Sequence, residues 1–167
     1  MTMEHFSSEQ SGDNDLARIE SLVGKIIQHG GFNLTFAIRK GEATGAVVEF
    51  EGADTDLLLE RNAALLDALE YVVLKTVHTD EDSPGRIIFD CKDWRRVRTE
   101  ELKLTASMAA RQVLESGTPF SLNPMTARER RIVHVALKEE AGVRTESEGT
   151  GEHRRVIIHP AAPPSTT

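Results

Sequence analysis

RERRIVHVAL, residues 128–137, places an arginine and a histidine four positions apart within an apolar run of helical spacing. Just upstream, Thr126 and Glu129 match the Ser/Thr-x-x-Glu capping box, so a helix of about residues 127–141 is predicted. At 3.6 residues per turn, one face of this helix collects the apolar residues and packs on the core. The predicted core positions are Ile132, Val133, Ala136 and Leu137.

Arg130 and His134 lie one turn apart and about 40° apart around the helix axis, so they share one half-exposed edge. Arginine offers a planar fork of donors that suits a phosphate, and a neighbouring histidine adds a further N–H donor. The pair therefore predicts a small anion clamp. An ordinary solvated helix edge is the alternative, because the Arg-x-x-x-His spacing often arises by chance.

A second candidate element is VRTESEGTGEHRRVIIHP, residues 143–160, which predicts two strands around a glycine-containing loop. Glycines allow backbone N–H groups to approach a phosphate closely, and the two arginines that follow add positive charge. A plain hairpin turn is the alternative interpretation. The candidate residues in this hairpin are Ser147, Gly149, Gly151, Arg154 and Arg155.

Charge is distributed unevenly along the 167 residues. The net charge of −7 argues against a polyanion as ligand. However, residues 1–91 carry 17 acidic and 7 basic residues, whereas residues 92–167 carry 10 acidic and 13 basic residues. Such an asymmetry indicates a nucleic-acid surface in the C-terminal half. Charge that is merely scattered over helix faces would give the same totals.

The compartment is indicated by three features. The one cysteine, Cys91, excludes an intrachain disulfide and agrees with a reducing cytosol. No apolar run approaches the ~18 residues that a membrane-spanning helix needs. The N-terminal sequence MTMEHFSSEQSGDND is polar and acidic, unlike a signal peptide. We therefore expect a cytoplasmic protein without membrane insertion.

Periodicity predicts an α/β protein with two small domains between two tails. Residues 1–14 are expected to be a disordered acidic tail. Residues 15–91 predict the order helix–strand–strand–helix–helix–strand. Residues 92–160 begin with a long helix, about residues 93–115, and end with the hairpin. Residues 161–167, which are rich in proline, predict a second disordered tail.

Three segments resemble a bacterial protein family. LNPMTARERRIVHVAL (122–137) and the hairpin resemble the single-stranded nucleic-acid-binding domain named for its Arg-x-x-x-His signature, the "R-three-H" domain. WRRVR (94–98) is similar to the start of that domain's long helix. ADTDLLLERNAALLDALEYV (53–72) resembles the small KH-like domain that precedes it in the Jag family, also called KhpB, EloR or SpoIIIJ-associated proteins. The resemblance covers about residues 45–160.

This resemblance implies a type-II KH-like domain followed by an Arg-x-x-x-His domain. It implies binding of single-stranded RNA or DNA, with RNA as the expected ligand, and neither catalysis nor a cofactor. Accessory contacts are expected from Arg95 and Arg98. The main contacts that it implies are Arg130, Arg131, His134, Ser147, Gly149, Gly151, Arg154 and Arg155.

The KH-like half departs from the family pattern. A KH domain clamps the RNA backbone with a Gly-x-x-Gly loop, and the aligned residues here are Glu60, Arg61, Asn62 and Ala63. Both glycines are absent, and a glutamate stands where a phosphate would approach. We therefore expect this half to bind RNA weakly or not at all.

Two other classes of function remain as alternatives. In one, the protein is an interaction module whose KH-like half pairs with another KH-domain protein or with a second copy. In the other, it is an enzyme such as a phosphodiesterase, but no convincing acid–base set is present. The six histidines are scattered and form no His-x-x-x-His or His-Glu-x-x-His pattern, so no metal site is predicted.

Overall fold

The structure is a computed structural model that describes residues 4–41, 45–77 and 87–161. The chain forms two compact units, which divide in the sequence between Trp94 and Arg95. Each unit contains helices and one three-stranded sheet, so the predicted α/β class with two small sheets is confirmed. None of the helices in the described part is both long and apolar enough to cross a bilayer.

The first unit is built around its central strand, β2. This strand pairs antiparallel with β1 and parallel with β3. Alternate residues of β2 and β3 are buried, as the two-residue period of a strand requires, and the Phe50 and Phe89 rings lie 5.6 Å apart in the core. The elements are α1 (Glu4–Gly30), β1 (Leu34–Gly41), β2 (Gly45–Gly52), α2 (Thr55–Val77) and β3 (Ile87–Cys91).

Helix α1 begins much earlier than predicted. The sequence predicted a disordered tail over residues 1–14, but the helix is already formed at Glu4, so this prediction is wrong from residue 4 onward. Ile19 and Val23 of the same helix are fully buried. Once such turns are anchored, each further residue adds one hydrogen bond, and a polar segment without proline extends the helix.

Helix α2 is interrupted at the Glu60–Ala63 segment, so that it forms the two consecutive helices that the sequence predicted. Glu60 leaves the helical conformation with ψ 150°, and Arg61, Asn62 and Ala63 follow with φ of 50°, 61° and 61°. The left-handed region costs a residue other than glycine about 1 kcal/mol. The backbone therefore adopts a conformation that favours glycine without containing one. Ala63 is fully buried, and this burial helps to hold the strained segment.

We predict that Arg61→Gly is more stable than Arg61→Ala by about 1 kcal/mol, because only glycine adopts the left-handed conformation without strain. Arg61 is exposed, so both variants lose the same solvated side chain. Urea unfolding of the two variants measures the difference. If residue 61 were helical, the order would be reversed, since alanine is the better helix former.

The second unit has an antiparallel sheet in the order β4–β6–β5, as the predicted hairpin requires. Its elements are α3 (Trp94–Ser116), β4 (Phe120–Ser121), α4 (Ala127–Ala136), β5 (Val143–Glu148), a 3-10 turn (Gly151–His153) and β6 (Arg155–Pro160). The core lies between the helices and the sheet. Its largest members include Leu102, Val113, Val133, Leu137, Val156 and Ile158.

Helix α4 is shorter than predicted. It ends at Ala136, although the sequence predicted residue 141. Continuing the helix would place Glu139 and Glu140 at the negative end of its dipole, which is unfavourable for acidic side chains. Ala136 is exposed, so its predicted core position is wrong, and Glu129 is buried on the core side instead.

The C-terminal end is described only as far as Ala161. Its N–H donates to the carbonyl of Gly142 at 2.7 Å. The predicted tail of residues 161–167 otherwise lies outside the described residues.

Candidate nucleic-acid interface

The start of α4 is fixed by a buried carboxylate. Glu129 Oε2 accepts from the Thr126 N–H at 2.8 Å, and Thr126 Oγ1 accepts from the Glu129 N–H at 3.3 Å, so the predicted capping box is confirmed. The other carboxylate oxygen, Oε1, accepts from Arg98 Nε at 2.7 Å. The Glu129 side chain is only 10% exposed, and both of its oxygens are satisfied. The first turn of α4 is therefore held to α3 by a hydrogen-bonded ion pair.

We predict that Arg98→Met lowers the free energy of unfolding by about 2 kcal/mol, because the buried Glu129 carboxylate would lose its cation. Urea unfolding followed by circular dichroism measures this loss. Arg111→Met is the matched control: Arg111 pairs with Glu115, but both are exposed, so the change should stay within about 0.5 kcal/mol. Equal losses in the two variants would contradict the assignment.

Arg130 is half-buried beside the N-terminal end of α4. Its Nη1 donates to the Met125 carbonyl at 2.8 Å. The Met125 N–H in turn donates to the Arg154 carbonyl at 3.1 Å. The guanidinium of Arg130 is thus fixed next to the connection between β4 and α4, and this connection is hydrogen-bonded to the hairpin. The structure therefore links Arg130, through Met125, to the backbone of Arg154, and the sequence predicted both residues.

His134 is also half-buried, and its ring is engaged on both sides. Nδ1 lies 2.6 Å from Thr145 Oγ1, and Nε2 lies 2.9 Å from Ser147 Oγ. Both hydroxyls belong to β5 and lie on the face that also carries the buried Val143. The sequence predicted Ser147 but missed Thr145. The signal was the two-residue period of β5, which places residues 143, 145 and 147 on one face.

The surroundings of the His134 imidazole favour its neutral form. Burial lowers the pKa of His134 below its usual value, and the nearby positive charge of Arg130 lowers the pKa further. A neutral ring donates from one nitrogen and accepts at the other, and a hydroxyl can serve either role. The contacts with Thr145 and Ser147 are therefore satisfied without a net charge on the ring.

We predict that the NMR titration of the His134 ring has a midpoint below 6.5, the ordinary pKa of histidine. The unfolded chain binds the proton of the His134 ring more tightly than the folded chain does. Well above pH 6.5, however, the ring is neutral in both states, so its titration does not change the free energy of unfolding. This free energy falls as the pH drops from about 6.5 toward the folded-state pKa. Arg130→Gln should raise the midpoint by removing the neighbouring cation. A midpoint at or above 6.5 in the native protein would contradict this.

The hairpin loop gives its two predicted glycines different roles. Gly149 has φ 88°, and a Cβ at this position would lie 2.9 Å from the His153 carbonyl oxygen, so glycine is required by the turn itself. Gly151 has φ 53° and open space around its Cα. The Arg154 N–H donates to the Gly151 carbonyl at 3.2 Å, which closes the 3-10 turn. The loop thereby ends with Arg154 and Arg155 exposed to solvent.

The arginines of the second unit include two contrasting groups. Arg98, Arg111 and Arg144 form ion pairs with acidic side chains. The other group has no acidic partner among the residues that the structure describes, and its members were all predicted contacts. They are Arg130, Arg131, Arg154 and Arg155.

The accessory positions differ from this second group. Arg98 is committed to Glu129 and to Glu101, at 2.7 and 3.3 Å, and Arg95 is half-buried. Their contact with nucleic acid stays a prediction. The Glu60–Ala63 segment belongs to the first unit, where its first three residues are exposed.

Glu146, Glu148 and His159 form a group that the sequence did not predict. Their ligand atoms lie within 4.8 Å of one another on the outer face of the hairpin. Strand pairing creates this group, which explains why no spacing motif revealed it. Glu146 also pairs with Arg144 at 3.1 Å, and both are about half exposed. Facing charges of this kind are ordinary on the solvent face of an antiparallel hairpin, and we infer no metal site from them.

Comparison with known proteins gives one family and several relatives. Residues 100–160 match the model of the R-three-H domain. The chain is 34% identical to "RNA-binding protein KhpB" of Clostridium symbiosum over 111 residues, which are 66% of this chain and 50% of that protein. It is 30% identical to the KhpB of Bacillus subtilis over 109 residues, 64% of this chain and 52% of that protein. It is 29% identical to the KhpB of Lactiplantibacillus plantarum over 113 residues, 68% of this chain and 35% of that protein. The chain thus spans about half the length of these relatives, or less.

Proposed function

We propose that the second unit, which matches the R-three-H domain over residues 100–160 of a chain similar to KhpB proteins, binds single-stranded nucleic acid, with RNA as the expected ligand. The eight main contacts predicted from the sequence all fall inside the matched range, whereas Arg95 and Arg98 fall outside it. The names of the KhpB relatives support RNA as the ligand.

The main support for this proposal is that four arginines have no acidic partner within the described residues. Four guanidinium groups of the second unit have no carboxylate partner in the described residues, and they are Arg130, Arg131, Arg154 and Arg155. Arginines without an acidic partner keep their positive charge available to a ligand. A bound phosphate backbone would supply the missing negative charge through bidentate hydrogen bonds.

The proposed contact is with the sugar-phosphate backbone, with little recognition of the bases. Proteins that bind single strands by stacking use aromatic side chains as platforms. In residues 95–167 the sequence has a single Phe, Tyr or Trp residue, Phe120, and it packs against the core. Arginines alone give an affinity that depends on phosphates and not on sequence.

The first unit is proposed to be KH-like and to contribute little to this binding. Its order of elements and the interruption of α2 at Glu60–Ala63 support the KH-like assignment. A phosphate could approach the backbone closely only where side chains are absent, and Glu60 adds a negative charge there. Pairing of this unit with another KH-domain protein or with a second copy stays a prediction.

The proposed role is that of a binding protein and not of an enzyme, in the cytoplasm. Its relatives are named as RNA-binding proteins. The free cysteine Cys91 is buried and agrees with a reducing compartment.

We predict that Arg130→Gln weakens binding of a labelled 12-mer about tenfold, whatever its sequence, because a charged hydrogen bond to phosphate is lost. Fluorescence anisotropy at about 50 and 200 mM salt, with RNA and DNA, gives the affinity and its salt dependence. The slope of log affinity against log salt should fall by about one.

Arg111→Gln removes the same charge from an ion-paired position on α3 and serves as the matched control. It should leave the affinity nearly unchanged. Equal weakening in the two variants would point to net charge alone and would overturn the assigned site. No binding of either 12-mer by the native protein at the lower salt would overturn the function.

A further inference from the structure

The signature histidine has no ring nitrogen available for a ligand. Nδ1 of His134 is engaged by the Thr145 hydroxyl at 2.6 Å, and Nε2 is engaged by the Ser147 hydroxyl at 2.9 Å. These two distances lie within the range of good hydrogen bonds. To donate to a phosphate, the ring would have to abandon one hydroxyl in a half-buried environment. The histidine is therefore poorly arranged to grip the backbone directly.

We propose that Thr145 is a positioning residue of the interface: with Ser147 it holds His134, and through His134 it sets the place of Arg130 relative to the hairpin. This inference deepens the proposed function and rests on it. The phosphate contacts come from the arginines, and the Thr145–His134–Ser147 contacts, here called the hydroxyl clasp, keep those arginines in register.

The position of Arg130 between two attachments supports this role. On one side, Met125 accepts from Arg130 and donates to the Arg154 carbonyl of the hairpin. On the other side, one turn further along α4, the hydroxyl clasp joins His134 to β5. The guanidinium thus lies on a helix segment that is hydrogen-bonded to the hairpin before and after it. The buried Val133 and Leu137 keep the helix packed on the core, but loss of one of these attachments would let the Arg130 edge shift relative to β5.

A shift of this edge would matter because a nucleic-acid backbone that contacts several arginines needs their guanidinium groups at fixed relative positions. Bidentate arginine contacts depend on orientation as well as on distance. A ligand that first has to order the interface loses affinity to that ordering, whereas a preorganised surface does not. Loss of the clasp should therefore weaken binding without changing how many phosphates are contacted.

Two hydroxyl deletions with matched controls test the proposal. Thr145→Val keeps the branched shape and removes the hydroxyl, and Ser147→Ala removes the second hydroxyl. We expect each to weaken 12-mer binding roughly tenfold, in the range of one hydrogen bond. The salt slope should stay that of the native protein, since no charge is lost.

Rescue and control variants separate positioning from a general loss of structure. Thr145→Ser restores the hydroxyl and should restore the affinity. Thr105→Val makes the same chemical change at an exposed position of α3 and should have no effect. Thermal unfolding followed by circular dichroism gives the folded fraction by which each affinity is corrected. An unchanged corrected affinity in Thr145→Val would overturn the proposal.

NMR of His134 gives a readout that does not depend on those variants folding. A phosphate bound at Arg130 raises the titration midpoint of His134 even without touching the ring, so the tautomer of the ring is the readout that discriminates. At a pH well above 6.5, a histidine held in the clasp should keep the same neutral tautomer, with the same ring ¹⁵N shifts, when the 12-mer binds. A change of tautomer on binding would overturn the proposal.

The same spectra distinguish this proposal from the proposed function. A ring in one neutral tautomer in the free protein supports the clasp even if neither 12-mer binds. In that case the proposed binding function is wrong, and the hydroxyl clasp is a structural feature of the domain only. A ring that exchanges between tautomers in the free protein would overturn the clasp itself.

Discussion

A carboxylate with little access to solvent decides how the second unit is arranged. Glu129 satisfies the first turn of α4 with one oxygen and pairs with Arg98 of α3 through the other. Removing a carboxylate from water costs several kcal/mol unless each of its oxygens is paired, so this arrangement tolerates few alternatives. The helix must begin at Thr126 and must pack with this edge against α3. The side of the helix on which Arg130 lies, one residue further along, follows from that constraint.

The interface is then completed by contacts of much shorter range. Val133 and Leu137 continue the stripe that Glu129 begins, at four-residue spacing, and are buried in the core. Arg130 and His134 lie next to that stripe and are left at its half-exposed border. A border position suits both residues, because their apolar stems can pack while their polar ends reach hydrogen-bond partners. The signature thus combines packing with polar contacts and is more than a charged surface.

Several local signals in the sequence were sufficient. The capping box and the interruption at Glu60–Ala63 involve residues within a few positions of one another, the hairpin is signalled by its glycine-containing loop, and each is observed. The partner of Glu129 lies 31 residues away on another helix, and no local pattern specifies such a partner. The same reason explains why the contact between His134 and Thr145 was missed, since it joins a helix to a strand 11 residues later. The nucleic-acid contacts themselves are untested and stay predictions.

The net charge of −7 was the weakest guide to function, and the reason is physical. Exposed charges separated by more than about 8 Å are largely screened at physiological salt, so distant carboxylates contribute little to the field at a binding site. What acts on a ligand is the charge within contact distance that has no partner of its own. In the second unit, Arg98 and Arg144 are neutralised by carboxylates at 2.7 and 3.1 Å, whereas Arg154 and Arg155 are not neutralised within the described residues. The pairing of individual side chains, which only the fold determines, therefore separates the arginines that hold the domain together from those left to meet a phosphate.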